Sequence, residues 1–422
     1  MNLPPIVAGH PPPNLPGFLT TQRRRLGDVF AIEPADGAPT VYCLSSAAVA
    51  EMFAREREGA VEIHNTDVVH TLFQRAVFTL RGREHTAART WLSTGLRHDA
   101  VASYLPTVAQ IAHQHATGWT ARSVVALDQA ARDYTMDLCL AAILGLAADD
   151  AVAKRVPELF DLFVAGAELP PDDSDDEIFA AAVDAATELR ELLRTHLVHV
   201  TEAAPPSVLS TLLASHQAPG PAMVDHLLAL LIAARETTAS LITWLLIECA
   251  LDDQLADAVR GEAHAVLTDP VQVIDRGGAP LLRRVLTECT RLHTPNTVAT
   301  RHAVTDTRIG GYTVPVGWHV AYSAPATHQL PELFTDPHTF DPQRFCGPAG
   351  ARRAGGLLAF GRGAHACAGR GFAEASTLLM AAAAFAGHRI TLAAPQRPRV
   401  ARFQPVRTPA GPVHATVTAV SR

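Results

Sequence analysis

Apolar positions organise most of this chain with a helical period. From Ser46 to about Leu267 they recur at three- and four-residue spacing in a background rich in Ala, Leu and Arg, as in helices that bury one face. Two short β-type runs precede that stretch, Val29 to Ile32 and Thr40 to Leu44. Asp36-Gly37 between them suits a turn, so the pair reads as a hairpin. The first twenty residues carry Pro4, Pro5, Pro11, Pro12, Pro13 and Pro16, a density that favours extended chain over helix. Pro170 to Glu177 is acidic and rich in breakers, and reads as a solvated loop between helices. A further helix is expected over about Leu281 to Leu292. From Thr297 to Val320 the pattern changes to short strands, punctuated by Gly310-Gly311 and Pro315-x-Gly317. Gly- and Pro-rich coil follows up to Gly363. A last helix is expected from about Ala368 to Ala386, and Val413 to Val420 is strand-like. No repeat of 20–50 residues is visible. Helices with small β pieces at both ends predict a mainly α protein with small segregated β-sheets. A single domain is expected over residues 1–422, with about the first twenty as a Pro-rich N-terminal segment.

Composition narrows the function. A chain of 422 residues with 48% hydrophobic content can bury a large core, and a net charge of −7 argues against nucleic acid as a partner. Lys154 is the only lysine, a bias that fits a GC-rich genome. Cys43, Cys139, Cys249, Cys289, Cys346 and Cys367 are scattered and make no C-x-x-C pair, so they read as reduced thiols. No secretory signal is expected. No apolar run reaches the ~20 residues of a membrane helix. Leu227 to Ala234 and Leu378 to Ala386 read as buried helices instead. A cytoplasmic protein without a transmembrane segment is the expectation.

The candidate chemistry lies late in the chain. In Phe360-Gly361-Arg362-Gly363-Ala364-His365-Ala366-Cys367-Ala368-Gly369 a glycine-flanked cysteine enters a helix. Gly361 and Gly363 permit positive φ and close approach of backbone to a flat ligand, and a helix N-terminus favours a thiolate. In isolation a Gly-x-Cys is an ordinary buried cysteine at a helix start. His365-x-Cys367 also offers two zinc ligands, but no second pair with zinc spacing stands nearby. Glu288 and Arg291 share a helix face at i, i+3, which alone reads as a surface salt bridge. Ala233-Ala234-Arg235-Glu236-Thr237-Thr238 lies in a long apolar helix, where a threonine often bonds back to a carbonyl. His85 and Arg89 at i, i+4 offer two donors to one carboxylate, though each alone could be a surface cation.

The ten-residue string resembles the haem-binding loop of the cytochrome P-450 superfamily, F-x-x-G-x-x-x-C-x-G, and the resemblance covers nearly the whole chain. It implies the triangular, mostly helical cytochrome P-450 fold of the soluble bacterial type. It further implies haem b (iron protoporphyrin IX) with Cys367 as axial ligand to iron, in a site containing Phe360, Gly361 and Gly369. His85, Arg89, Arg301 and His365 match propionate-binding positions. Glu236 and Thr237 match the acid–alcohol pair of A-G-x-(D/E)-T, with Ala233 at the haem face. Ala234 departs from the family's glycine and puts the local shape of the oxygen pocket in question. Phe340-Asp341-Pro342-Gln343-Arg344-Phe345 supplies Arg344 to a structural network with Glu288 and Arg291. The implied activity is that of a monooxygenase inserting one atom of dioxygen into a small apolar substrate, by hydroxylation or epoxidation, in bacterial secondary metabolism. Val61 to Leu80, with Phe73 and Phe78, and Thr297 to Thr300 lie where the family contacts substrate. No flavin, iron–sulfur or dinucleotide-binding segment is present, so electrons from NAD(P)H are expected through separate redox proteins, a ferredoxin and a ferredoxin reductase. Arg352, Arg353, Arg362 and Arg370 flank Cys367 as a candidate docking face. A peroxide-using or isomerising haem-thiolate enzyme, or a non-catalytic haem protein presenting a substrate, are the alternatives.

Overall fold

The computed structural model describes residues 2–169, 176–199, 205–215, 220–271, 278–402 and 406–420. Most of the acidic stretch Pro170 to Glu177 therefore lies outside the described residues. The chain divides into two compact units, each assembled from separated segments.

The first unit comprises Met1–His64, Arg284–Cys367 and Pro398–Gly411. It is built on a six-stranded sheet in the order Ile6–Ala8, Val29–Glu33, Thr40–Cys43, His319–Tyr322, Ala299–Ala303, Val61–Ile63. Val29–Glu33 and Thr40–Cys43 form the expected hairpin, with Val29 opposite Cys43 and Ile32 opposite Thr40. Alternation along these strands sorts side chains to two faces. Phe30, Ile32, Tyr42 and Leu44 pack with Leu15 and Leu19 of the helix Leu15–Leu26. Val29, Ala31, Val41 and Cys43 pack with Val49, Met52 and Phe53 of the helix Ser46–Arg57. Burial on both faces explains why these strands read as continuous apolar runs.

Two expectations for this unit are corrected. The proline-rich start is not extended throughout, because a helix begins at Leu15. Asn14 caps it by accepting from the Gly17 amide, and Pro16 lies in the first turn, where a missing N–H costs nothing. The coil expected up to Gly363 contains a helix, Gly347–Gly356. Its Gly350 lies so close to Phe345 that a Cβ there would fall 2.1 Å from the Phe345 carbonyl carbon. Its glycines have low helix propensity, and Gly350 is the one among them with no room for a side chain.

The second unit comprises Asn65–Arg283, Ala368–Arg397 and Pro412–Arg422. Its centre is the 28-residue helix Met223–Ala250, packed on Leu127–Leu138 and Arg370–Ala386. By length and composition that helix could cross a bilayer, and 67% of its most apolar stretch is buried inside the protein. The sequence shows only the shorter run Leu227 to Ala234 because charged residues interrupt it. Those charges are paired: Asp225 with Arg190 at 2.7 Å, Arg235 with Asp161 at 2.8 Å, and Glu248 with Arg397 at 2.6 Å. Leu127–Leu138 runs on into a π-helical turn, Cys139–Ile143. Part of the Val61 to Leu80 segment is also helical, over Asp67–Phe73. Phe73 is buried edge-on against Phe78 at 4.9 Å and Phe163 at 5.1 Å. A three-stranded sheet of His388–Leu392, His414–Ala419 and Val125–Ala126 completes this unit.

Candidate active site

In the first unit the cysteine loop is held by its own backbone. The Gly361 amide donates to Leu358 O at 2.9 Å, the Cys367 amide to Phe360 O at 2.7 Å, and the Ala366 amide to Gly363 O at 3.2 Å. Gly361 and Gly363 have φ of +67° and +73°, where a side chain would be strained. The loop thereby leaves the Cys367 thiol exposed. Cys346 is the other exposed cysteine, and it bonds Gln343 at 3.0 Å. Cys43 and Cys139 are buried, and desolvation pushes both thiols up to about 12, which unfits them as thiolate ligands.

Beside the loop, Arg301 on the strand Ala299–Ala303 donates through Nε to Glu56 Oε1 at 2.8 Å and through Nη1 to Thr300 O at 3.1 Å. His365 Nε2 is 3.9 Å from the same Glu56 oxygen. Glu56 stands on the helix Ser46–Arg57 and gives no motif in the sequence; only the fold brings it here. Tyr322 is buried nearby: its hydroxyl is 3.4 Å from where a Gly361 Cβ would be.

Glu288, Arg291 and Arg344 are also brought together in this unit. Glu288 accepts from Arg291 Nε at 2.7 Å and Nη2 at 2.8 Å, from Arg344 Nε at 3.0 Å and from the Asp341 amide at 2.9 Å. Glu288 and Arg291 are completely buried. His328 extends the network: its Nδ1 is 3.2 Å from Arg291 O, and its Nε2 accepts from the Leu358 amide at 2.9 Å. Nε2 must therefore lack a proton and Nδ1 carry one. Burial pushes His328 down to about 3, in keeping with that neutral form. Sequence reading missed His328, which carries no recognisable spacing.

In the second unit, His85 and Arg89 lie on the helix Gly82–Leu96. Burial, then the neighbouring Arg89 guanidinium, lowers the His85 pKa. On the helix Met223–Ala250, Thr237 Oγ1 donates to Ala233 O at 2.7 Å. Glu236 is mostly buried, and desolvation raises its pKa against the opposing Arg235 charge. Arg235 Nη1 bonds Glu236 at 2.7 Å, its Nη2 bonds Asp161 at 2.8 Å, and its guanidinium lies 5.3 Å from the Phe160 ring centroid. Gly369 caps the helix Arg370–Ala386, its carbonyl accepting from the Ala373 amide at 2.8 Å.

Comparison with known proteins places these features in one class. Residues 10–399 match the cytochrome P450 family. Abscisic acid 8'-hydroxylase of Solanum lycopersicum is 24% identical over 86% of this chain and 78% of that one. Cyclooctat-9-en-7-ol 5-monooxygenase of Streptomyces melanosporofaciens is 36% identical over 42% of this chain and 40% of that one. Cyanobacterial CYP120A1 with retinoic acid bound has the same fold, with a TM-score of 0.86 and 22% identity across the full length of both chains. The chain belongs to the cytochrome P450 family and is an oxygen-incorporating oxidoreductase. Membership implies a haem cofactor and electron supply from redox partner proteins.

The residues present fit a haem. Cys367 is an exposed thiol on a loop whose positive-φ glycines carry no side chains to obstruct a flat ligand. Arg301 has Nε and Nη1 engaged, which leaves its Nη2 edge for an anion. The Arg89 charge opposes protonation of His85, a repulsion that a carboxylate beside them would relieve. Among the described residues, no three His, Cys, Asp or Glu side chains are arranged to hold a bare metal ion.

Proposed function

We propose that this chain is a haem-thiolate monooxygenase that hydroxylates or epoxidises a small apolar molecule, with Cys367 as the iron ligand. The observation that carries the reading is the cysteine loop, in which Leu358, Phe360 and Gly363 carbonyls tie down the backbone while the thiol stays exposed. Phe360, Gly361 and Gly369 complete that loop, and His85, Arg89, Arg301 and His365 serve the propionates. Haem b, held by Cys367, would supply the activation of dioxygen and the transfer of one oxygen atom to substrate, with the thiolate as electron donor.

The chain's own residues manage protons. Thr237 spends its hydroxyl proton on Ala233 O, so its oxygen offers lone pairs as an acceptor. Glu236, with its raised pKa, can hold a proton on its carboxyl group. Arg235 links that carboxylate to Asp161, whose side chain is 65% exposed, which gives Glu236 a polar connection to solvent. Retention of the acid–alcohol pair favours dioxygen over peroxide as oxidant.

Electrons from NAD(P)H are read as arriving through a ferredoxin and its reductase. Arg352 and Arg353 are exposed on the helix Gly347–Gly356, and Arg362 is exposed with Nη2 on Gly355 O at 2.8 Å. Such a positive surface suits an acidic ferredoxin. Arg370 contributes less, since it pairs with Glu374 at 2.9 Å. A cytoplasmic enzyme of bacterial secondary metabolism fits the Streptomyces relative and the arginine-rich composition. The named relatives' ligands are largely hydrocarbon, so abscisic acid, retinoic acid and cyclooctat-9-en-7-ol head the substrate panel.

The test is spectral, then catalytic. The reduced carbon monoxide complex should show the red-shifted Soret band of thiolate ligation, and turnover should require NAD(P)H and a ferredoxin system. A histidine-type spectrum in native buffer would overturn Cys367 as ligand. Product formed with peroxide but none with NAD(P)H and a ferredoxin system, or no product under either condition, would overturn the monooxygenase reading.

A further inference from the structure

The carboxylate of Glu56 is buried at the edge of the cysteine loop and has no part in the proton or electron handling proposed for this chain. Its side chain is 8% exposed. Oε1 serves Arg301, with His365 at 3.9 Å. Oε2 is buried and accepts no hydrogen bond among the described residues. It lies 3.1 Å from where a Cβ on Gly363 would be. Glycine at position 363 therefore answers two demands, its φ of +73° and room for this oxygen. A buried anion with an unpaired oxygen is costly unless a nearby charge or donor repays it.

We propose that Glu56 is a positioning residue for the propionate edge of the haem, holding Arg301 as a donor while placing a fixed negative charge beside it and His365. The inference rests on the haem reading. Arg301 is clamped at Nε by Glu56 and at Nη1 by Thr300 O, so the plane of its guanidinium is set before a propionate arrives. The same carboxylate offsets the positive charge that Arg301 brings to the site. Less net positive charge beside the porphyrin favours the ferric over the ferrous state and lowers the reduction potential. Glu56 thus contributes both orientation and charge, and two substitutions separate them.

Glu56→Gln keeps the acceptor for Arg301 Nε and removes the charge. Its ferric–ferrous equilibrium should shift toward ferrous by up to about tenfold, about 59 mV for one electron. Its haem should be retained as in the parent protein. Glu56→Ala removes both functions, and haem transfer to apomyoglobin should accelerate by about 10- to 100-fold, the usual cost of losing an outer-shell partner. A residue needed only for packing would lower the melting temperature of Glu56→Ala and leave the potential of Glu56→Gln unmoved. If the parent protein lacks the thiolate-type carbon monoxide spectrum, the haem reading fails and this inference with it. If the parent shows that spectrum but Glu56→Gln has an unchanged potential, the inference alone is overturned. Should Glu56→Ala not fold, the potential of the near-isosteric Glu56→Gln decides the matter.

Discussion

Removing Glu288 should cost this protein about twice what removing Arg344 costs, although the two side chains share one ion pair. Glu288 accepts four hydrogen bonds, two from Arg291, one from Arg344 and one from the Asp341 amide. Glu288→Ala leaves Arg291 with its carbonyl contacts to His328, Pro337 and Thr339 but with no counter-charge at zero exposure. Breaking a buried pair in this way costs about 3–5 kcal/mol. Arg344→Ala leaves the bidentate Glu288–Arg291 pair intact. It removes one hydrogen bond between charged groups, about 1.5–3 kcal/mol, and its bonds to Thr335, Asp336 and Thr339 carbonyls lie toward solvent, where water replaces them. Against a total stability of about 5–15 kcal/mol, Glu288→Ala should yield little haem-loaded protein, whereas Arg344→Ala should fold with a lower urea midpoint. The double variant should be no worse than Glu288→Ala by more than a fraction of the Arg344 cost, because Arg344 has already lost its partner. Urea midpoints and haem content of the three variants test this. Equal midpoints for the single variants, or strictly additive costs in the double variant, would refute the reasoning.

Other outcomes follow from single contacts. Gly350→Ala should destabilise the helix Gly347–Gly356, since its Cβ meets the Phe345 backbone, whereas Gly355→Ala, with nothing within 4 Å, should raise stability by about 0.5–1 kcal/mol; melting temperatures will show whether the two changes have opposite signs. His328 is held neutral to about pH 3, below its unfolded value near 6.5, so the unfolded chain takes up a proton first and stability is lost as pH falls through that window; the acid loss should be shallower in His328→Asn, even though that variant starts less stable at pH 7. Thr237→Val should fold and bind haem but release less product per NAD(P)H consumed, by up to about 10²-fold; unchanged coupling would remove Thr237 from proton handling. Electron transfer from an acidic ferredoxin should slow as salt rises and slow again in Arg352→Glu and Arg353→Glu, and a rate indifferent to both would rule out this docking face.

Local signals in the sequence were enough for some of this and silent on the rest. The hairpin and the long helices were legible because their apolar periods are unbroken, as in Val29–Glu33 and Arg370–Ala386. The Leu15–Leu26 helix was hidden by Pro16, whose meaning depends on whether it falls in the first turn. The helix Gly347–Gly356 was hidden because four of its ten residues are glycine, the poorest helix former after proline. Among site residues, Cys367 and its glycines announce themselves by spacing. Glu56 and His328 do not, since Glu56 meets Arg301 across 245 positions of chain and His328 meets Leu358 across 30. An ionic or imidazole contact at such separation leaves no periodicity to read.

The pairing of Thr40–Cys43 with His319–Tyr322 also sets a timetable for synthesis. These strands are parallel neighbours in the middle of the six-stranded sheet, with Cys43 opposite Tyr322. The hairpin can form as soon as it leaves the ribosome, but one of its edges waits for a strand roughly 280 residues further on, which at about 5–20 residues per second arrives roughly 14–56 seconds later. For that interval an apolar edge stands open to pairing with other chains. Nascent chains arrested before His319 should therefore be held by chaperones or aggregate, and release should coincide with emergence of that strand.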